Sequence, residues 1–185
     1  MATVRTSYRF TVDDFHRMAD AGIFTEDDRV ELLEGEITVM TPIGHRHNAT
    51  VNFLNARLHE ALLGQALVQI QGPIRLGPHN EPQPDVALLR WSADYYRAAL
   101  PTAMDVVLVI EVADTSMEGD RAKLSLYAEA GIPEAWIVDL QGERLEVYRQ
   151  PRGDRYERTL VAQRGETVAP EAFPDVALPT ADLLG

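Results

Sequence analysis

The most informative run of the chain for its fold is Val106-Val107-Leu108-Val109-Ile110-Glu111-Val112. A continuous, mostly β-branched run of this kind is typical of a central strand that is buried on both faces. The segment after it, residues 118–130, has the pattern of a helix ended by Gly131 and Pro133, and residues 135–138 again resemble a strand. A strand, a helix and a second strand in this order predict a parallel βαβ unit.

The sequence on both sides of this unit predicts more strands and two main helices. Thr11 begins a short helix, a hairpin turns at Glu34-Gly35, and residues 46–63 have helical spacing. Further strands are predicted at residues 68–76, 86–89, 145–148 and 156–161. We therefore expect an α/β or α+β fold, in which a mixed β-sheet is flanked by helices. The expected domain is single and spans residues 1–185, with a core at about 28–150 and a Pro-rich tail, about 168–185, on the surface.

Composition limits the classes of protein to be considered. The chain has 185 residues, the size of one ordinary domain. It has no cysteine, which excludes disulfides and thiolate zinc sites. The first residues lack the apolar run of a signal peptide, and the longest strongly apolar run, residues 106–110, is too short to span a bilayer. We expect a cytoplasmic protein with no membrane partner.

Glu111 places a carboxylate at the end of the most apolar run in the chain. A charge on a strand buried on both faces is costly unless it is paired or binds a cation. Two interpretations are open at this point. Glu111 is either a strand-end residue satisfied by water or an arginine, or it is a ligand for a metal ion.

Pro84-Asp85 begins the strand that precedes the acidic one, and the chain contains its own control for this motif. Residues 174–178 repeat residues 84–88 letter for letter as Pro-Asp-Val-Ala-Leu. A Pro-Asp pair is therefore weak evidence by itself. Only the first copy is followed, about one strand and one connection later, by the strand that contains Glu111.

Asp85 and Glu111 at neighbouring strand ends would form a site of hard oxygen ligands. Mg²⁺ or Mn²⁺ suits such a site, and the cation can activate water and neutralise charge on a phosphoryl oxygen. Lys123 follows early in the next helix. It could orient or deprotonate the attacking water or stabilise charge in the transition state. The alternative for Lys123 is an ordinary solvated helix residue.

A set of residues spread over most of the chain carries a family resemblance. They are residues 31–36 and 40–42, His47, residues 84–86, Glu111, Val112, Ser116, Asp120, Lys123, Tyr127 and residues 130–139. In this order they resemble the Uma2 family of restriction endonuclease-like proteins, within the PD-(D/E)xK nuclease superfamily. The resemblance covers about residues 8–156.

This resemblance implies a restriction-endonuclease-like fold and metal binding at Asp85 and Glu111. The superfamily pattern places a lysine two residues after the acidic residue, where this chain has Ala113, and the Uma2-like pattern supplies Lys123 from the next helix instead. The resemblance also implies a further catalytic carboxylate, for which Glu31 is the best match and Glu34 the rival. His47, at the start of the long helix, would contact substrate or the metal shell, or simply face solvent.

Two functions from different classes follow. The first is a metal-dependent endonuclease that hydrolyses phosphodiester bonds of DNA, with RNA as the other substrate. The second is a catalytically silent binding or regulatory module, which is favoured by the net charge of −12 because phosphate binding usually needs basic character. A basic cleft around Asp85 would favour the nuclease, and an acidic rim would favour the module. By analogy with enzymes that cut both strands, a homodimer is expected.

Overall fold

A single mixed sheet organises the chain, as the computed structural model shows for residues 7–25, 27–40, 42–115 and 117–185. The sheet has six strands in the order β3-β4-β5-β6-β7-β8. Its strands are β3 (Ala66–Ile70), β4 (Val86–Arg90), β5 (Val106–Ala113), β6 (Glu134–Asp139), β7 (Arg144–Arg152) and β8 (Arg155–Gln163). Thr41 and Ser116, which belong to the motifs named above, lie outside the described residues.

The remaining elements are helices and short strands on either side of the sheet. The helices are α1 (Val12–Asp20), α2 (His45–Leu62), α3 (Met117–Glu129) and α4 (Thr180–Leu184), with a 3₁₀ turn at Ala103–Asp105. The short strands are β1 (Val30–Leu33), β2 (Glu36–Val39), β9 (Thr167–Val168) and β10 (Leu178–Pro179). None of the helices in the described part of the chain combines the length and apolar character needed to cross a membrane.

The stretch 106–112 forms the interior strand β5, as the sequence predicts. β5 pairs antiparallel with β4 and parallel with β6, and α3 connects the two parallel strands. The expected βαβ unit and the mixed sheet flanked by helices are therefore confirmed.

The two faces of the sheet are covered by different helices. α2 packs Leu54, Leu58 and Leu62 against one face, where α4 joins it. These leucines recur every four residues, so they share one side of the helix. Tyr127 of α3 belongs to the apolar cluster on the other face. Burying a leucine side chain contributes roughly 1.5–3 kcal/mol, so α2 is held mainly by this stripe.

The hairpin of β1 and β2 lies outside the main sheet and packs with α1. Its turn consists of Glu34 and Gly35, which have φ of 51° and 77°. Two consecutive residues with positive φ are what a tight hairpin turn needs, and this explains the Glu-Gly pair. A side chain at Gly35 would also collide with Arg9, since an added Cβ would lie 2.7 Å from its Cβ.

Two expectations about local structure are wrong. The predicted strand at residues 68–76 ends at Ile70, because Gln71 has a φ of 47° and Pro73 cannot donate a ladder hydrogen bond. The tail after residue 168 is not a surface wrapping, since Leu183 and Leu184 are buried in the core with α2. Thr50 donates a hydrogen bond to the carbonyl of Leu183 at 3.0 Å, which ties this end to α2.

Candidate active site

Strand register brings Asp85 and Glu111 together. β4 and β5 are antiparallel and place Val86 opposite Ile110. One step further along the same register places Asp85 opposite Glu111, and residues directly opposite in an antiparallel pair are close neighbours. The amide of Asp85 lies 3.4 Å from Glu111 Oε2, to which it donates. Both side chains are buried.

The carboxylate of Asp85 is held by donors from three directions. Oδ2 accepts from the amide of Val112 at 2.9 Å, and Oδ1 accepts from Gln71 Nε2 at 3.2 Å. His47 Nε2 lies 2.9 Å from Oδ2. The amide of Gln71 also donates to the carbonyl of Asp85 at 3.1 Å. These contacts fix both the backbone and the side chain of Asp85.

Glu111 is a deeply buried carboxyl group. Tyr127, which is itself fully buried, donates its hydroxyl proton to Oε1. Burial raises the pKa of Glu111 to about 8, and the negative charges of Asp85 and Asp120 add to this effect, although Lys123 and Tyr127 oppose it. A buried carboxylate of this kind gains from a nearby positive charge.

Lys123 supplies one such charge, from the second turn of α3. Its Nζ lies 3.0 Å from Glu31 Oε1 and 3.5 Å from Glu111 Oε1. Although burial by itself favours the neutral amine, Glu111 and Glu31 raise the pKa of Lys123 above its usual range. The side chain is thus a buried ammonium group between two carboxylates, and the solvated alternative for Lys123 does not hold.

Glu31 reaches the site from β1, outside the main sheet. One oxygen contacts Lys123, and the other accepts from the amide of Gln83 at 3.1 Å. The alternative, Glu34, lies in the exposed hairpin turn, where its carboxylate is 3.9 Å from the guanidinium of Arg9. The structure therefore brings Glu31, and not Glu34, beside Lys123.

His47 is placed beside Asp85 in the first turn of α2. Because an ionised carboxylate only accepts hydrogen bonds, Nε2 carries the shared proton. Among the buried side-chain atoms that the structure describes, His47 Nδ1 is the one left without a hydrogen-bond partner. A buried nitrogen without a hydrogen-bond partner destabilises the folded state unless a further group, such as a ligand, contacts it.

A cleft of about 500 Å³ opens above these residues. Carboxylates outnumber basic groups among its described lining residues. The acidic residues are Glu31, Asp85, Glu111, Asp114 and Asp120, and the basic ones are Arg29 and Lys123. Four of these acidic residues are buried, so the negative charge lies mainly at the base of the cleft, and the more exposed part of its described lining contains one acidic residue, Asp114, and one basic residue, Arg29. The cleft is therefore neither basic, as expected of the nuclease, nor bounded by an acidic rim, as expected of the module.

The donor set can hold a magnesium or manganese ion. Asp85 and Glu111 offer hard oxygen ligands, and neither carboxylate uses all its acceptor positions. Within the described ranges, no three His, Asp or Glu side chains converge as an all-protein metal cage. A pair of carboxylates is a set of ligands that Mg²⁺ commonly uses, together with several waters.

Sequence reasoning missed Gln71 and undervalued Tyr127. The family resemblance includes Tyr127 without giving it a role, whereas in the structure its hydroxyl donates to Glu111 Oε1. Gln71 could not be found from the sequence, because only its left-handed backbone aims the amide at Asp85. One usable signal was overlooked: Lys123 is the only lysine in the chain.

Comparisons with known proteins concern the family and the fold of the chain. The sequence model of the Uma2 family, described as "Putative restriction endonuclease", matches residues 12–181. A crystal structure from Anabaena variabilis, described as a putative nuclease belonging to DUF820, superposes with a TM-score of 0.75. That alignment covers 95% of this chain and 97% of the other at 18% identity, so it shows a shared fold. No curated protein matches the chain.

Proposed function

The chain belongs to the Uma2 family, and from this membership we propose that it is a divalent-cation-dependent endonuclease acting on DNA. One observation carries the proposal. Two buried carboxylates, Asp85 and Glu111, meet on adjacent strands at the base of a cleft, with the buried ammonium of Lys123 within 3.5 Å of Glu111. Such a combination is expensive for the fold unless it serves a function.

Asp85 and Glu111 would hold Mg²⁺ or Mn²⁺. When bound, the cation would lower the pKa of water and neutralise charge on the phosphoryl group. The amide of Val112 and the side chain of Gln71 keep the Asp85 carboxylate in a fixed orientation. Tyr127 does the same for Glu111. Ligands held in this way need little rearrangement when the cation and substrate arrive.

Lys123 would stabilise negative charge as the phosphodiester bond breaks. Its raised pKa keeps it protonated at neutral pH, and it keeps Glu31 as a partner even when Glu111 is protonated. A protonated amine cannot accept a proton, so the structure favours charge stabilisation over the role of general base. Glu31 is then a positioning residue, because its oxygens hold Lys123 and the amide of Gln83.

His47 is proposed to contact the substrate or to orient Asp85. It lines the cleft, it lies 2.9 Å from Asp85, and its Nδ1 has no partner among the described residues. Cutting both strands of a duplex would require two clefts. We therefore propose a homodimer only for cleavage of duplex DNA.

Calorimetry and cleavage assays together test the proposed function. The parent protein should bind one Mg²⁺ or Mn²⁺ per cleft, and Glu111→Ala should bind neither. DNA should be cleaved in either ion and left intact in a chelator. If the parent protein binds no divalent cation and cleaves no nucleic acid in either ion, the proposal is wrong.

A second candidate function, a catalytically silent binding module, is favoured by the acidic lining of the cleft. Asp120 is buried there together with Glu31, Asp85 and Glu111, and Asp114 is partly exposed. Phosphate groups are repelled by such a lining unless cations intervene. Cation binding without any cleavage of DNA or RNA would favour this module over the nuclease.

A further inference from the structure

We propose that the cleft takes single-stranded DNA and packs the faces of unstacked bases against an apolar lip. The apolar lip consists of Val39, Met40, Pro42 and Ile43, which line the same cleft as the carboxylates. This inference rests on the proposed nuclease function and adds the substrate class to it. A duplex presents base faces only where a base step is unstacked at a cost in free energy, whereas a single strand presents them without breaking base pairs.

The apolar lip is exposed where solubility alone would favour polar residues. Val39 is 76% exposed and Ile43 is 38% exposed. Both line the same cleft as the carboxylates. Isolated exposed apolar residues need no explanation, but several of them around one cleft are typical of a binding surface. Aliphatic side chains, including methionine and proline, are known to pack between unstacked bases.

Most of the basic side chains that would have to contact the phosphates of a duplex are paired with other protein groups or lie far from the cleft. Arg46, at the start of α2, donates to the carbonyl of Leu140 at 2.8 Å and lies 3.6 Å from Asp114. Lys123 is buried between carboxylates. Proteins that grip duplex DNA typically neutralise several phosphates with exposed basic side chains. The described cleft lining offers Arg29 as its only other basic residue.

One group of exposed arginines lies at the far edge of the sheet. Arg152, Arg155 and Arg158 lie on β7 and β8, and all three are exposed. β8 is three strands away from β5. At a spacing of about 4.8 Å per strand, that distance is roughly 14 Å across the sheet. These residues cannot replace the missing phosphate contacts at the cleft.

The size of the cleft also fits a short stretch of single strand. Its volume of about 500 Å³ lies within the range of pockets that enclose small ligands. One or two nucleotides therefore occupy it, with a phosphate over Asp85 and Glu111 and a base against the apolar lip. Few phosphates are neutralised in this arrangement, so binding should depend only weakly on salt.

Steady-state cleavage of three substrates in Mn²⁺ tests the proposal. The substrates are a single-stranded oligonucleotide, the same sequence as a duplex, and the small diester bis(p-nitrophenyl) phosphate. We expect kcat/KM for the single strand to exceed that for the duplex and for the small diester by at least tenfold. Equal or faster cleavage of the duplex overturns the inference but leaves the nuclease function intact. Failure to cleave any of the three substrates overturns the nuclease function, and the inference with it.

Variants of the apolar lip give a second, independent readout. Val39→Ser and Ile43→Ser should each raise KM for the single strand by about tenfold and leave kcat nearly unchanged. KM for the small diester should not change, because that substrate does not reach the lip. The matched control is Val161→Ser, at an exposed valine on β8. If the lip variants behave like Val161→Ser, the apolar lip does not bind bases.

Discussion

Residues 84–88 and 174–178 have the same five amino acids in the same order and take different structures. In the first copy, every residue is buried, and Val86 to Leu88 lie within β4. In the second copy, Pro174 and Asp175 form an exposed turn, and only the final leucine enters a strand, β10. The local sequence alone therefore does not determine whether a Pro-Asp segment becomes a buried strand. The strands that pair with it determine this.

The partners of each copy explain the difference. β4 lies between β3 and β5, so both edges of the first copy are paired and both faces are covered. The second copy pairs only with β9, a strand of two residues. The carboxylate of Asp85 thus accepts from the amide of Val112, and the amide of Asp85 donates to the side chain of Glu111. Asp175, in contrast, is exposed to solvent.

The largest expected difference between the copies is in metal binding and cleavage. Asp85→Ala removes one of the two proposed cation ligands, so it should abolish cation binding measured by calorimetry and lower cleavage by about a thousandfold. Asp175→Ala should leave both quantities at the parent values. If both variants bind the cation like the parent, the role proposed for Asp85 is wrong.

Lys123→Met should give the next largest effect. Loss of a charge-stabilising group typically costs about a hundredfold in rate, and we expect that loss in cleavage. Cation binding should not weaken, because removing a positive charge makes the carboxylates more receptive to another cation.

Arg121→Met is the matched control for Lys123→Met, on the same helix. Arg121 pairs with Glu146 at 2.6 Å and does not line the cleft. Its loss should leave cleavage unchanged. Full activity in Lys123→Met would remove the lysine from the mechanism and leave the proposed metal site in place.

Sequence alone was sufficient for the fold because hydrophobic patterns are local. The run 106–112, the helix after it and the next strand each have their own signal, and the order of the three predicts the parallel unit that is observed. The sequence also predicted Asp85 and Glu111 at neighbouring strand ends, and the observed antiparallel register places the start of β4 beside the end of β5.

Other parts of the site depend on contacts that no local pattern encodes. Lys123 meets Glu31 only because the hairpin of β1 folds over the start of α3, and these residues are far apart in the chain. The position of Gln71 depends on a left-handed backbone conformation, which is unusual for a residue other than glycine. The tail contains Phe173, Val176, Leu178, Leu183 and Leu184, which belong to the core or pack against it, but the prolines between them suggested a surface path.

The valines of the two copies provide a smaller, purely structural contrast. Val86 is fully buried in the core, whereas Val176 is only partly buried at its margin. Removing buried methyl groups from a packed core leaves a cavity, so Val86→Ala should lower the free energy of unfolding by about 2 kcal/mol. Val176→Ala should cost less than about 1 kcal/mol. Urea denaturation measures both, and equal costs would show that the second copy is packed as tightly as the first.

The smallest expected effect is stabilisation by the cation itself. A ligand that binds only the folded state stabilises it by RT ln(1 + [L]/Kd), which is about 1.4 kcal/mol at ten times Kd. For a protein of this size, that should raise Tm by roughly 3–6 °C. The parent and Asp175→Ala should show this shift with Mg²⁺ or Mn²⁺, each measured against its own Tm in chelator. Asp85→Ala should show none, whatever its own stability, because its cleft has lost a ligand. A shift of the same size in all three proteins would place cation binding away from Asp85, and the difference between the two copies would then concern packing alone.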